Sequence, residues 1–259
     1  MHVFLSPHFG DAVLNCGGAI HRLAQAGQSV VARIVMGQKF DARQAVPTPI
    51  VQEMHRRWGG QEPIMASRSD EDEQALRLLG AASQRMTVWP EAIYRTSRRG
   101  EALYPTREAL FGDPHPDDLA ANLIPTIALP PGDPVRVLYA PLGVGNHVDH
   151  QIVRNWALVL KKHNPGLKVK LYAEFPYAED TRALHNAMLF YRSLGLALRA
   201  ERVFLSEADA RARIDATTRC HTQISLFWGS AGAAAKSIHQ ALLRAGEGQP
   251  AEVYWCVPD

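Results

Sequence analysis

The sequence predicts an α/β fold, a Rossmann-like three-layer sandwich with a mainly parallel sheet, and three observations carry that reading. Short apolar runs at 2–5, 29–35 and 137–141 have the length and residue types of buried strands. The first and third end in polar turns that carry Gly, His and Asp. Helix-patterned segments follow them, and strand-end turns of this kind face the crevice where open α/β sheets bind ligands.

Taken in order, His2 to Leu5 is a strand running into Ser6-Pro7, and the next turn holds His8 and Asp11. The Gly17-Gly18 pair is expected to open a helix over 19–26. The run 29–35 is a second parallel strand, stopped by Met36-Gly37. A polar stretch containing prolines, Gln38 to Pro63, is long enough to form a lid or a pocket wall. From Arg68 to Gly80 the pattern predicts a helix with an acidic first turn that complements its dipole, burying Ala75, Leu78 and Leu79. A strand is expected over 85–89. In Pro114-His115-Pro116-Asp117-Asp118, either Asp can cap a short helix through Ile124.

Farther along, Val137–Pro141 is a strand, 148–162 a helix and 167–175 a strand. Residues 180–198 read as helix and loop. A short strand over 203–206 leads to a helix over 207–226 capped by Ser206. Asp209 stands where a capping box wants Glu or Gln, and its shorter side chain makes the match incomplete. The run 252–256 is expected to be a strand closing the sheet edge.

Composition bounds the function. With 259 residues the chain fits one large α/β domain spanning 1–259. A net charge of +2 is too small to argue for nucleic acid or a membrane surface as partner, and neither nucleic acid nor membrane insertion is expected. No window approaches a membrane span, and no signal-peptide pattern precedes the first strand. Cys16, Cys220 and Cys256 lack metal-site or redox spacing and suggest a reducing compartment, so a cytoplasmic location and a small-molecule substrate are expected. The spacing G-x-G-x-x-G is absent around Gly17-Gly18, which excludes a dinucleotide loop.

The chemistry lies in the two strand-end turns. His8 and Asp11, three apart, can face one point, and imidazole with carboxylate suits a divalent cation such as zinc. The second turn, Leu142-Gly143-Val144-Gly145-Asn146-His147-Val148-Asp149-His150, adds two imidazoles. Three ligands with an open fourth position are the pattern of a catalytic zinc site, and the spacing of His147 and His150 lets one ring bind metal while the other faces substrate.

Together the segments resemble the PIG-L/LmbE-like family of zinc-dependent N-deacetylases, whose motifs read Pro-His-x-Asp-Asp before Gly-Gly, and His-x-x-His after a Pro-Leu-Gly-like turn. That resemblance implies an LmbE-like fold and Zn2+ held by His8, Asp11 and His150. It implies that His147 stabilises the oxyanion or protonates the leaving amine, that Arg68 contacts substrate, and that Glu174, Pro176 and Tyr177 line the pocket. Gln223 takes the place of a family Gln. Glu91 stands where the family has an Asp that accepts from sugar hydroxyls. Being one methylene longer, it is read either as keeping that role or as supplying a proton acceptor, against the plain alternative of a loop acid.

The chain departs from the family at Gly10, where the family's general base is the first Asp of its Asp-Asp pair. A positioned base is worth ~10²–10⁴-fold in rate, and glycine supplies none. Asp41, and more remotely Asp113, Asp117 and Asp118, are other carboxylates that could replace it. The expected function is zinc-dependent removal of an N-acyl, chiefly N-acetyl, group from an amino sugar or glycosylated metabolite. The alternatives are a repurposed lyase, cyclase or acyl transferase, or a base-deleted chain that only binds.

Overall fold

The computed structural model describes residues 1–59, 63–129 and 135–258. Strand β1 (His2–Ser6) shows why the chain forms layers: Val3 and Leu5 enter one apolar core and Phe4 the other. Alternating side chains that are apolar on both faces require cover on both faces. The same alternation divides β2 (Val30–Ile34), with Val30, Ala32 and Ile34 on one side and Val31 on the other.

Between these strands runs α1 (Asp11–Gln25), which begins eight residues before the expected helix. Gly10, at φ 91°, turns the chain sharply enough for the helix to start at once. Gly17 and Gly18 therefore lie inside the helix and open nothing. A Cβ on Gly18 would stand 2.4 Å from Leu205 Cδ1, and one on Gly17 would stand 3.2 Å from the Arg213 backbone, so both glycines admit close neighbours.

After β2 the polar stretch is partly helical, with α2 (Pro49–Arg57) capped by Thr48. The next helix, α3 (Ile64–Leu78), starts earlier than expected, which moves the acidic residues from its first turn to its middle. Strand β3 (Ala82–Arg85) replaces the strand expected over 85–89; it pairs in parallel with β2 and is exposed along its length. An exposed edge strand lacks the apolar signal on which the reading relied. Two short helices, α4 (Arg107–Leu110) and α5 (Leu119–Leu123), precede β4 (Val137–Pro141), and Asp118 caps α5 as one of the two expected residues.

Then come α6 (Val148–His163), β5 (Lys168–Tyr172) and α7 (Thr181–Ser193). Strand β6 (Arg199–Phe204) leads through Ser206 into α8 (Glu207–Thr217). Here the capping box is complete: Ser206 N donates to Asp209 Oδ2 at 3.0 Å, so the short side chain does reach back. The expected long helix breaks after Thr217 and resumes as α9 (His221–Phe227), and α10 (Ala231–Ala245), absent from the sequence reading, precedes β7 (Ala251–Cys256).

The seven-stranded sheet has the order β3-β2-β1-β4-β5-β7-β6, in which β7 pairs antiparallel with both β5 and β6 and every other pair is parallel. Strand β7 is thus internal, not the edge it was expected to be. Helices α1, α2, α3 and α8 pack on one face and α5, α6 and α7 on the other. The chain reverses its winding between β1 and β4, so a crevice opens at their carboxyl ends. Both His-bearing turns leave the sheet there. No described helix is long and apolar enough to cross a membrane.

Candidate metal and catalytic site

Turns after β1 and β4 bring His8, Asp11, His147 and His150 to one cavity, whose other lining residues include Arg68, Glu91 and Glu174. At its centre is Asp11 Oδ2, 3.2 Å from His8 Nδ1 and 3.3 Å from His150 Nε2. Each imidazole has its remote nitrogen on a buried carboxylate. His8 Nε2–H donates to Asp149 Oδ2 at 2.9 Å, and His150 Nδ1–H donates to Glu174 Oε1 at 3.0 Å. This is the arrangement in which a second carboxylate fixes the tautomer of a metal-binding histidine and aims its lone pair inward. The donor set therefore fits a divalent cation.

A ring nitrogen of His147 also lies within 4.8 Å of nitrogens on His8 and His150, so three imidazoles cluster. The cap of α6 separates His147 from the other two. Its Nδ1 accepts the backbone N–H of Asp149 at 3.1 Å, which spends the lone pair there and leaves the proton on Nε2. Burial and the two neighbouring imidazoles push its pKa well below the usual histidine value. A neutral ring with a free N–H is a hydrogen-bond donor, suited to an oxygen that gains negative charge.

The other two rings behave oppositely. Burial disfavours the charged form of His8, but Glu91, Asp11 and Asp149 outweigh it and raise its pKa to about 10. His150 is raised to about 9, against burial, by Asp11 and Glu174. The Asp11 carboxyl is held far below the usual range by His150 and His8, despite burial. Excess negative charge around two imidazoles favours any cation at this point, proton or metal.

Arg68 and Glu91 also meet. Arg68 Nη1 lies 2.8 Å from Glu91 Oε1, both buried, and the guanidinium stacks on Trp58 at 4.0 Å. The remaining wall is largely apolar and includes Met54, Leu110, Phe111 and Phe227, so α2 does contribute a pocket wall.

The matching family model is PIG-L, described as GlcNAc-PI de-N-acetylase, and it covers residues 3–161. The chain belongs to the PIG-L family. Within that family it is similar to 2'-N-acetylparomamine deacetylase of Niallia circulans, at 27% identity over 205 residues, 72% of this chain and 70% of that protein. It is also similar to the zinc inhibited form of teicoplanin deacetylase Orf2, with a TM-score of 0.77 and 25% identity over 99% of this chain and 97% of the other. The A40926 pseudoaglycone deacetylase Dbv21 gives a TM-score of 0.70 at 25% identity, over 99% and 96% of the two chains. The LmbE-like fold expected from the two motifs is thus the fold observed.

In this PIG-L chain Gln223 crowds position 10, where the resemblance implies an Asp. A Cβ on Gly10 would meet Gln223 Cγ at 3.0 Å and Nε2 at 3.2 Å, and Gln223 Nε2 donates to Phe9 O at 2.9 Å. Gly10 N–H donates to Asp72 Oδ1 at 2.8 Å. Burial pushes the Asp72 carboxyl up to about 7. Asp41 pairs with Arg43 on the surface and does not enter the cavity.

Asp149, Asp72 and Arg95 were not among the expected site residues, and Glu174 was expected to line the pocket but not to hold His150. Arg95 Nη1 meets Asp149 Oδ1 at 2.6 Å, and its Nη2 meets Asp118 Oδ2 at 2.9 Å. Tyr104 OH donates to the same Asp118 oxygen at 2.7 Å. The motif-like Pro114–Asp118 segment thus caps α5 and also backs the site. Asp149, beside His150, was visible in the second motif; Arg95 and Asp118 carried no signal of their partnership.

Proposed function

We propose that the chain is a zinc-dependent N-deacetylase that removes an N-acyl group, chiefly N-acetyl, from an amino sugar carried by a glycosylated metabolite. The observation that supports this best is Asp11 Oδ2 lying between His8 Nδ1 and His150 Nε2, each ring backed by a carboxylate. His8, Asp11 and His150 are the proposed ligands, because His147 has already committed its lone pair to Asp149 N–H. Zinc held there supplies polarisation of an amide carbonyl and acidification of water.

The protein's own groups do the rest. His147 Nε2–H donates to the carbonyl oxygen as its charge grows, an interaction worth ~3–4 kcal/mol in comparable oxyanion sites. Arg68, stacked on Trp58, orients the sugar. The apolar wall holds the bulkier part of the substrate and excludes water from the reacting amide. Support for the substrate class comes from relatives named as deacetylases of 2'-N-acetylparomamine, teicoplanin and the A40926 pseudoaglycone.

The test is to load the chain with one equivalent of zinc and supply N-acetylglucosaminyl glycosides with small and large apolar aglycones. Mass spectrometry should show acetate and the free amine, abolished by a chelator and restored by zinc. Stoichiometric zinc without amide cleavage on any such glycoside would overturn the reading.

A further inference from the structure

Gly10 leaves the reaction without the family's proton acceptor, and the cavity itself narrows the choice of a replacement. Three carboxylates line it among the described residues: Asp11, Glu91 and Glu174. Asp11 faces both imidazoles. Glu174 is fully committed: Oε1 accepts from Gly143 N and His150 Nδ1, and Oε2 accepts from Val144 N. Asp72, though it accepts the Gly10 N–H, does not line the cavity.

Glu91 differs from both. Its Oε1 lies 2.8 Å from Arg68 Nη1, yet the alignment gives no hydrogen bond, so a buried carboxylate oxygen is left without a donor. A buried acceptor in that condition costs free energy unless something in the cavity donates to it. Its position relative to the metal site is set by the backbone, because Ala92 N–H donates at 2.8 Å to Asp149 Oδ2, the oxygen that also receives His8 Nε2–H. Residue 91 is therefore anchored to the group that aims His8.

Resting on the deacetylase reading, we propose that Glu91 has taken over the role lost at position 10 and is the catalytic proton acceptor. As the oxygen of water bonds to the amide carbon, one water proton passes to the Glu91 carboxylate. As the carbon–nitrogen bond breaks, Glu91 returns that proton to the departing nitrogen, leaving a carboxylic acid and a free amine. The Arg68 guanidinium, 2.8 Å from Oε1, holds the Glu91 side chain at the cavity wall by charge.

The experiment compares the zinc-loaded parent with Glu91→Gln and Glu91→Gly on an N-acetylglucosaminyl glycoside. In Glu91→Gln, kcat should fall ~10²–10⁴-fold with KM within about threefold and zinc stoichiometry unchanged. Formate, a carboxylate small enough for the vacated space, should restore turnover of Glu91→Gly in a saturable manner. A rise in KM at unchanged kcat, or no rescue by formate, would assign Glu91 to substrate positioning and overturn the proposal. Failure of the zinc-loaded parent to release amine would overturn the deacetylase reading itself, and the base assignment with it.

Discussion

Asp149 Oδ2 receives the Nε2–H of His8 at 2.9 Å, from a position with no solvent exposure. Its other oxygen meets Arg95, so one buried carboxylate joins an imidazole facing the cavity to an ion pair behind it. Removal of such a partner typically lowers metal affinity ~10–100-fold. Asp149→Asn should therefore weaken zinc binding by that factor in chelator competition. It should also lower the melting temperature, since Arg95 loses one of its two counterions. Unchanged affinity would remove Asp149 from the site.

The ligand set is separable by substitution. His150→Ala and Asp11→Ala should abolish zinc occupancy measured by elemental analysis, because each removes a donor at the central point. His147→Ala should retain stoichiometric zinc while losing ~10²–10³-fold in kcat. The reverse result, zinc lost with His147 and kept without Asp11, would move the third ligand to the imidazole cluster.

Restoring the family's residue at position 10 should not be benign. Gly10→Asp places a side chain 3.0 Å from Gln223 Cγ at a φ of 91°. Strain and crowding of this kind cost about 1–3 kcal/mol, so thermal denaturation should show a lower melting temperature. Adding Gln223→Ala should recover part of the loss. A Gly10→Asp chain as stable as the parent would show that Gln223 yields freely.

Titration sets the sign of the pH effects. His8 and His150, raised to about 10 and about 9, stabilise the zinc-free fold fully below their unfolded value of 6.5. That contribution is lost as pH rises through 9 to 10, so the zinc-free melting temperature should decline across that range. Zinc must displace the same protons, and its affinity should rise with pH between neutrality and 9, approaching ~100-fold per unit if both protons leave. Calorimetry in buffers of different ionisation enthalpy would count them. An affinity flat across this window would contradict the assignment of both rings.

The helix glycines offer a stability test remote from the cavity. Gly18→Ala brings a methyl 2.4 Å from Leu205 Cδ1 and 2.9 Å from Glu252 Oε1. Overpacking of this type costs about 1–3 kcal/mol, measurable by denaturant titration, with zinc affinity unaltered. A neutral result would mean that Leu205 swings aside.

Local signals were enough for the buried parallel strands β1, β2 and β4 and for the two motif turns, because buried apolar runs and strand-end His and Asp residues declare themselves within a few positions. The convergence of His8, Asp11, His147 and His150 was legible for the same reason: two such turns beside a reversal of sheet winding open into one crevice. Tertiary structure alone decided what depends on distant partners. The start of α1 depended on Gly10 adopting a positive φ, and the internal place of β7 on pairing with β5 and β6. The crowding of position 10 depended on Gln223, more than two hundred residues from Gly10. Periodicity cannot reveal which remote side chain fills a space, because packing is settled by the whole chain at once.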